Sequence, residues 1–574
     1  MKIAASQIIV ERDVPCAMSD GTILRGDVYR PGNDKRYPVL VHRTPYSKTH
    51  PVYMTSLMVH PFEAVEHGYA LFIQDVRGRF QSNGDWSPIQ CERQDGYDTV
   101  EWASAQPWSN GQVGIYGSSY MCVSAAQATA SRPPHLKAAA LYIGGSNSYE
   151  GFVYSGGAFE ALFMLRWFAT QALDTLRKSS LTGEALAQAR ERLLWIIDNP
   201  AAAIEVRPLI DVFGAADSLV PHWRTWLQHP DYDAYWKALD PIQPIAESGI
   251  PLLNIAGWYD GFLKGHLDLN QAIQKTKVAG GTTTHQNMII GPWDHESYIS
   301  LRPSAAGDSA FGSKAVGGQP GLSKQILEWF DQWLQKEKQQ APIQSNVRYF
   351  VMGTNAWHTA DAWPPKTVTR CYYFGGTHPN TSKGNGRLEQ TTSSTETTSR
   401  FVHDPNNPVP TIGGRHLGYW YGHAGVQDQA PVETRHDILV FTSDALTSPL
   451  SLIGNVQAEL FVRCSAQSAD FNVKLIDLRP NGYCANIVEG VLRVKGMDTE
   501  TKKITVDLWD TAYVVPAGNR LRVEIAGSNF PRFDVNDGNA NAWNATAQAS
   551  LSPVEQQILT GGSMASRIIV RVMD

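Results

Sequence analysis

Gly111-Gln-Val-Gly-Ile-Tyr-Gly-Ser-Ser-Tyr-Met-Cys122 is the stretch on which the reading of the fold turns. Val113 to Tyr116 is a short apolar run of the kind that forms a buried strand. Tyr120 onward (Met-Cys-Val-Ser-Ala-Ala-Gln-Ala-Thr-Ala) reads as a helix of small residues. Gly117, Ser118 and Ser119 fill the turn between them. A serine on such a turn is lifted clear of the sheet. The N-terminus of the following helix, aimed at it, favours negative charge developing there.

A serine at the apex of a strand–turn–helix is the nucleophile elbow of α/β-hydrolases. Ser118 and Ser119 compete for the apex. The turn is crowded, so the residue two before the nucleophile must be tiny. Ser119 has Gly117 there, whereas Ser118 has Tyr116, which selects Ser119. The fit to G-x-S-x-G is incomplete, because Met121 stands where the last glycine belongs.

The chain around this stretch has 574 residues, too many for one core, and roughly two to four domains are expected. A composition 43% hydrophobic and 18% charged is that of a soluble globular protein. The net charge of −6 gives no electrostatic case for nucleic acid or an anionic membrane. No apolar run reaches membrane-spanning length, and Met1 to Val10 lacks the pattern of a secretory leader. Cys16, Cys91, Cys122, Cys371, Cys464 and Cys484 are scattered without close pairs, against a zinc site or a disulfide framework. These features predict a cytoplasmic protein with reduced thiols, no metal and no cofactor.

Upstream of the elbow, strands are expected over Thr22–Tyr29, Pro38–His42 and Tyr69–Gln74, and a helix over Asp95–Ala105. Leu136–Leu141 follows the elbow helix as a further strand. Alternation of this kind implies a largely parallel sheet covered on both faces. From about 144 to 241 the pattern becomes helical, with Ala158–Leu173 and Thr182–Ile197 the clearest helices, and an all-helical cap is expected. Strands return at Pro251–Ala256 and Asn287–Ile290, and Ser323–Lys338 is an amphipathic helix. Beyond about 351 the chain is strand-like. Val456, Ala458, Leu460 and Val462 alternate with Gln457, Glu459, Phe461 and Arg463, which predicts a β-sandwich of jelly-roll type. Thr391–Ser399 is expected as an exposed loop. The organisation predicted is α/β: residues 1–143 and 242–350 as catalytic core, 144–241 as cap, and 351–574 as the β domain.

Catalytic groups in open α/β sheets gather beyond the carboxyl ends of the strands. Ser119, Asp260 and His295 all fall at such ends, in the order Ser–Asp–His expected of this fold. Ser119 is the expected nucleophile, His295 its base and Asp260 the carboxylate that orients the imidazole. Asp294, beside His295, is also a turn candidate, but adjacent residues point apart.

The residues resemble a known family. Gly117-Ser-Ser-Tyr120, Gly257-Trp-Tyr-Asp-Gly-Phe262 and Gly291-Pro-Trp-Asp-His295 look like the cocaine esterase family of hydrolases. Its relatives include the X-Pro dipeptidyl-peptidases and the α-amino-acid ester hydrolases. Asp75-Val-Arg-Gly-Arg79 and Ser528-Asn-Phe-Pro-Arg-Phe-Asp534 fit the same pattern, so the resemblance spans nearly the whole chain. It implies an α/β-hydrolase core, a helical cap and a C-terminal jelly roll. It also implies an oxyanion hole, made by the hydroxyl of Tyr46 in Arg43-Thr-Pro-Tyr46 and the backbone N–H of Tyr120. Trp167 and Phe262 match aromatic positions of the acyl pocket, and Phe152 stands where the esterase has a tryptophan. Amino-ester hydrolases carry acidic residues just after the triad aspartate; here Gly261-Phe262-Leu263 follow instead. Cys122 replaces a glycine common in the family.

The expected activity is cofactor-free hydrolysis of small carboxylic esters through an acyl-enzyme. An amidase or acylase, or an X-Pro-type peptidase, is the alternative on the same triad. A carbohydrate-binding protein with a vestigial hydrolase core is the alternative from another class. Relatives are often homo-oligomers, so a homodimer or higher homo-oligomer is the partner state that the resemblance suggests, and a small-molecule ester or amide is the expected substrate.

Overall fold

The structure is a computed structural model that describes residues 8–50, 58–278, 281, 283–298, 302–335, 347–418, 421–539 and 551–573. Its first sheet has ten strands: β1 Ile8–Ala17, β2 Ile23–Pro31, β3 Tyr37–Thr44, β4 Ala70–Asp75, β5 Ser109–Ser118, β6 Leu136–Tyr142, β7 Leu252–Gly257, β8 Gln286–Gly291, β9 Val347–Val351 and β10 Ala356–Ala360. They lie in the order β1-β2-β4-β3-β5-β6-β7-β8-β9-β10. The six pairings from β4–β3 through β8–β9 are parallel. β1–β2, β2–β4 and β9–β10 are antiparallel and form the two margins. The inner strands β4, β7 and β8 are buried at every residue, as their unbroken apolar runs require of a sheet covered on both faces. β1 escaped the sequence reading because charged residues interrupt it and it lies at the sheet edge. The sheet continues to Ala360, past residue 350, where the sequence placed the end of the core.

Helices α1 Glu92–Ser104, α2 Tyr120–Ala130 and α5 Leu263–Lys275 cover one face of the sheet. Helix α6, Gly318–Leu334, covers the other, and residues 336–338 of the predicted Ser323–Lys338 helix lie outside the described residues. The small residues of α2 have a packing reason. A Cβ on Gly96 of α1 would lie 2.5 Å from Ala128 Cβ, so the two helices meet at a distance that larger side chains would forbid.

Between β6 and β7 lies the cap, with α3 Ala161–Lys178 and α4 Gly183–Asp198 as its longest helices. The predicted start of α3 at Ala158 is corrected. Ala158–Phe159 pairs with Tyr154–Ser155 as a two-residue ribbon, so the insertion is not wholly helical. Trp223, Trp226 and Trp236 are fully buried and give the cap its own aromatic core.

Among the described residues, eleven strands between Val368 and Met573 then build the β domain, one hydrogen-bonded sheet folded around a large apolar cluster. Within Leu450–Cys464 the alternation of buried and half-buried residues follows the predicted period of two. The loop predicted over Thr391–Ser399 ends earlier than expected, because Thr397–His403 is a strand paired with Val554–Thr560. Its hydroxyl-rich start reads as loop in isolation, and pairing with a distant strand overrides that. Among the described residues no helix is long and apolar enough to cross a membrane.

Candidate active site

Strand β5 ends at Ser118 and α2 begins at Tyr120, so Ser119 alone makes the turn, at φ 55° and ψ −129°. A positive φ at a residue with a Cβ is strained, and the surroundings must hold it. The Ser119 N–H donates to Tyr142 O (3.2 Å) and Ile143 O (3.1 Å) at the end of β6, and Ser119 O accepts from Cys122 N–H (3.0 Å). Glycines make the approach feasible. A Cβ on Gly117 would lie 2.1 Å from Met121 O, and one on Gly144 would lie 2.3 Å from Ser119 O and 2.2 Å from Cys122 Cβ. Met121 is therefore tolerated in the last position of the motif, while the crowding falls on Gly117 and on Gly144 of the next strand end. Cys122 is fully buried beneath the turn, and burial pushes its thiol up to about 12, so it packs and does not react.

Ser119 Oγ lies 2.9 Å from His295 Nε2, and His295 Nδ1 lies 2.7 Å from Asp260 Oδ2. The three residues predicted from order and strand ends are thus one hydrogen-bonded chain. Two loops carry the last two members. Asp260 follows β7 and His295 follows β8, and the loops are laced by Trp258 N–H to Gly291 O (2.9 Å) and Tyr259 N–H to Trp293 O (3.0 Å). Asp260 Oδ1 accepts the Phe262 N–H at 2.8 Å, which fixes the carboxylate with its other oxygen toward the imidazole. The Asp260 side chain is 1% exposed and that of His295 12%. Asp294 turns away, as expected of a neighbour, and caps the turn of Ser297 through its N–H (2.9 Å) and Oγ–H (2.8 Å). Burial raises the Asp294 carboxyl to about 6 despite those bonds. Ser118, the rival nucleophile, is 1% exposed, and its Oγ has no hydrogen-bond partner among the described residues.

Tyr120 is the first residue of α2, a position whose N–H has no intrahelical acceptor. Its ring is held by two bonds at the phenol oxygen, one accepted from Ile89 N–H (2.9 Å) and one donated to Glu92 (3.2 Å). Tyr46 Oη accepts the Trp167 indole N–H at 3.0 Å. Trp167 was expected only as a pocket wall, and nothing in a linear sequence links it to a tyrosine 121 positions away.

Phe152, Phe262 and Trp167 fall in one aromatic cluster beside the Ser119–His295–Asp260 chain. Phe262 meets the His295 ring edge-on at 5.2 Å and Phe152 at 5.3 Å, and Phe163 bridges Phe262 (6.2 Å) to Trp167 (6.3 Å). Trp86 meets Trp167 at 5.5 Å, and Leu417 of the β domain packs into the same cluster. Phe163, Trp86 and Leu417 carried no motif signal, and only the fold brings them here. His266, fully buried on α5, was also missed. It accepts the Gly144 N–H on Nε2 (3.1 Å), so its proton sits on Nδ1 facing Asn254 Oδ1. Burial pushes its pKa down to about 4, which keeps the ring neutral for that task.

The family model of the X-Pro dipeptidyl-peptidases (S15 family) matches residues 20–297, and that of the X-Pro dipeptidyl-peptidase C-terminal non-catalytic domain matches residues 343–569. The cocaine esterase of Rhodococcus sp. (strain MB1 Bresler) is 31% identical over 582 residues, covering 98% of this chain and 98% of that protein. An aminopeptidase from a marine-sediment archaeon, Thaumarchaeota archaeon, superposes with a TM-score of 0.79 at 20% identity over 99% of this chain and 97% of its own. An α-amino acid ester hydrolase superposes with a TM-score of 0.78 at 21% identity over 100% and 98%. These two likenesses show a shared fold. With that fold and near-complete coverage at 31% identity, the chain belongs to the serine hydrolase family of the cocaine esterase, an α/β-hydrolase core joined to a C-terminal β domain.

Proposed function

We propose that this chain hydrolyses small, neutral carboxylic esters through an acyl-enzyme on Ser119. Ser119 Oγ attacks the acyl carbonyl while His295 Nε2 takes its proton. Asp260 holds the imidazole and stabilises the imidazolium. The tetrahedral oxyanion accepts hydrogen bonds from the Tyr46 hydroxyl and the Tyr120 N–H. Collapse expels the alcohol, which leaves with the proton from His295. Water, deprotonated by His295, then attacks the acyl-enzyme and releases the carboxylic acid. The observation that carries this reading is the unbroken chain Ser119 Oγ–His295–Asp260, at 2.9 and 2.7 Å.

The neutral acyl preference rests on the pocket. Phe262, Phe152, Phe163 and Trp167 surround the acyl side, and a free α-ammonium there would need a carboxylate partner. Two buried carboxylates on neighbouring segments, Glu92 and Glu160, are engaged by Arg43 (2.8 Å) and Arg532 (2.9 Å). A phenylacetyl ester should therefore have a higher kcat/KM than the matching phenylglycyl ester at neutral pH. Phe262→Ala should erode that margin by roughly 1–3 kcal/mol, the scale of lost apolar burial. A clear advantage for the phenylglycyl ester would replace this reading with an amino-ester hydrolase. Residues 1–143 and 242 to about the end of β10 make up the catalytic unit in this scheme, with 144–241 as cap and the remainder as the β domain.

A further inference from the structure

The motif Asp75-Val-Arg-Gly-Arg79 starts on the last residue of β4, carries no residue of the triad, and is left without a role by the reaction scheme. Its contacts converge on one segment. Val76 N–H donates to Thr44 O at 3.0 Å. Arg79 Nε–H donates to Pro45 O at 3.0 Å. Asp75 Oδ1 accepts the Lys48 N–H at 2.7 Å, and Asp75 Oδ2 the Lys48 ammonium at 2.9 Å. Tyr46 lies between these anchors. The glycine is needed to close the loop, since a Cβ on Gly78 (φ 71°) would lie 2.2 Å from Trp86 N.

The remaining donors of Arg79 point to the cap. Nη1 donates to Gln171 O at 2.8 Å and Nη2 to Gln171 Oε1 at 2.9 Å, and the guanidinium lies 4.7 Å over the Trp86 ring. Gln171 sits one turn beyond Trp167 on α3, and it is Trp167 that donates its indole N–H to Tyr46 Oη. The Arg79 side chain, 2% exposed, thus fixes the backbone beside Tyr46 and the helix that orients the Tyr46 hydroxyl in one rigid fork.

We propose that Arg79 is a positioning residue for the oxyanion hole: it locks the Tyr46 segment to cap helix α3, so that the phenol points at the developing oxyanion only when the cap is seated. The inference rests on the reading of Tyr46 as an oxyanion donor. A donor displaced by a few tenths of an ångström loses most where charge is greatest, in the transition state, and little in the ground state. The effect should fall on kcat and not on KM.

The test is a double-mutant cycle on a 4-nitrophenyl ester, with unfolding midpoints recorded for each variant. Tyr46→Phe should lower kcat by about 10²–10³-fold, the effect of removing one oxyanion donor. Arg79→Met should lower kcat by roughly 10–100-fold with KM changed by less than about 3-fold, and should cost less than about 3-fold more in the Tyr46→Phe background. Arg79→Lys, which keeps the charge but not the fork, should stay impaired. Gln171→Met provides a milder version of the same cycle should Arg79→Met fail to fold. If the Arg79 and Gln171 losses multiply with that of Tyr46→Phe, or fall on KM, this inference is overturned while the oxyanion reading stands. If Tyr46→Phe keeps kcat near wild type, the oxyanion reading fails and this inference goes with it.

Discussion

At the scale of single residues, the turn at Ser119 is the costly feature. Its φ of 55° is sustained by the bonds to Tyr142 and Ile143 and by the absence of side chains on Gly117 and Gly144. Gly144 has the more informative substitution, because it lies 25 positions from Ser119 and touches it only through the fold. Gly144→Ala would press a methyl against Ser119 O and Cys122 Cβ, where neither can move without tilting α2. The expected outcome is a loss of about 1–3 kcal/mol in stability and a larger proportional loss in kcat, read by thermal unfolding and ester turnover. An unchanged kcat would mean the turn is not held in the way described. The apex was legible in the sequence because its crowding is local, so Gly117 two residues ahead distinguishes Ser119 from Ser118. Gly144, His266 and the Trp167–Tyr46 bond were not legible, since each acts on its partner across more than twenty positions.

At the scale of elements, three strand ends and one helix hold the site. His266 on α5 ties the turn after β6, which braces Ser119, to β7: it takes the Gly144 N–H and faces Asn254. Its folded pKa of about 4 lies below the ordinary 6.5 because burial penalises the imidazolium. A histidine depressed in this way contributes stability above pH 6.5 that is lost as pH falls through about 4. His266→Gln keeps an acceptor for Gly144 and cannot titrate. Wild type should therefore lose up to about 3 kcal/mol relative to His266→Gln between pH 7 and pH 4, visible as converging unfolding midpoints. Parallel pH profiles of the two proteins would refute a neutral, buried His266. The strands that bring Ser119, Asp260 and His295 together were legible as apolar runs ended by glycine. The ribbon at Tyr154–Phe159 was hidden, because two-residue pairings leave no periodicity to read.

At the scale of the whole molecule, the β domain is tied to the segment that carries the aromatic cluster, where Leu417 packs. Arg532 binds Glu160, which immediately precedes α3 in the cap (2.9 Å), and also Glu489 within the β domain, all three buried. Arg532→Met would take the paired cation from Glu160 and leave Glu489 with the weaker field of Lys474 and Arg415. A drop of about 3–5 kcal/mol in stability is expected from calorimetry or denaturant unfolding, recovered in large part when Glu160→Gln and Glu489→Gln are added. A single substitution without effect would mean that the cap and the β domain do not depend on this joint. The three-part organisation was legible because the chain changes period from mixed to helical to two. The joint was only partly so: Arg532 was visible within a family motif, but its acidic partners lie 372 and 43 positions away.

Ser119 should be the residue acylated during turnover. Intact-mass and peptide mapping after treatment with a fluorophosphonate tests this most directly. One adduct per chain is expected, on the peptide bearing Ser119, absent in Ser119→Ala and retained in Ser118→Ala. An adduct that survives Ser119→Ala, or that disappears only in Ser118→Ala, would contradict the assignment.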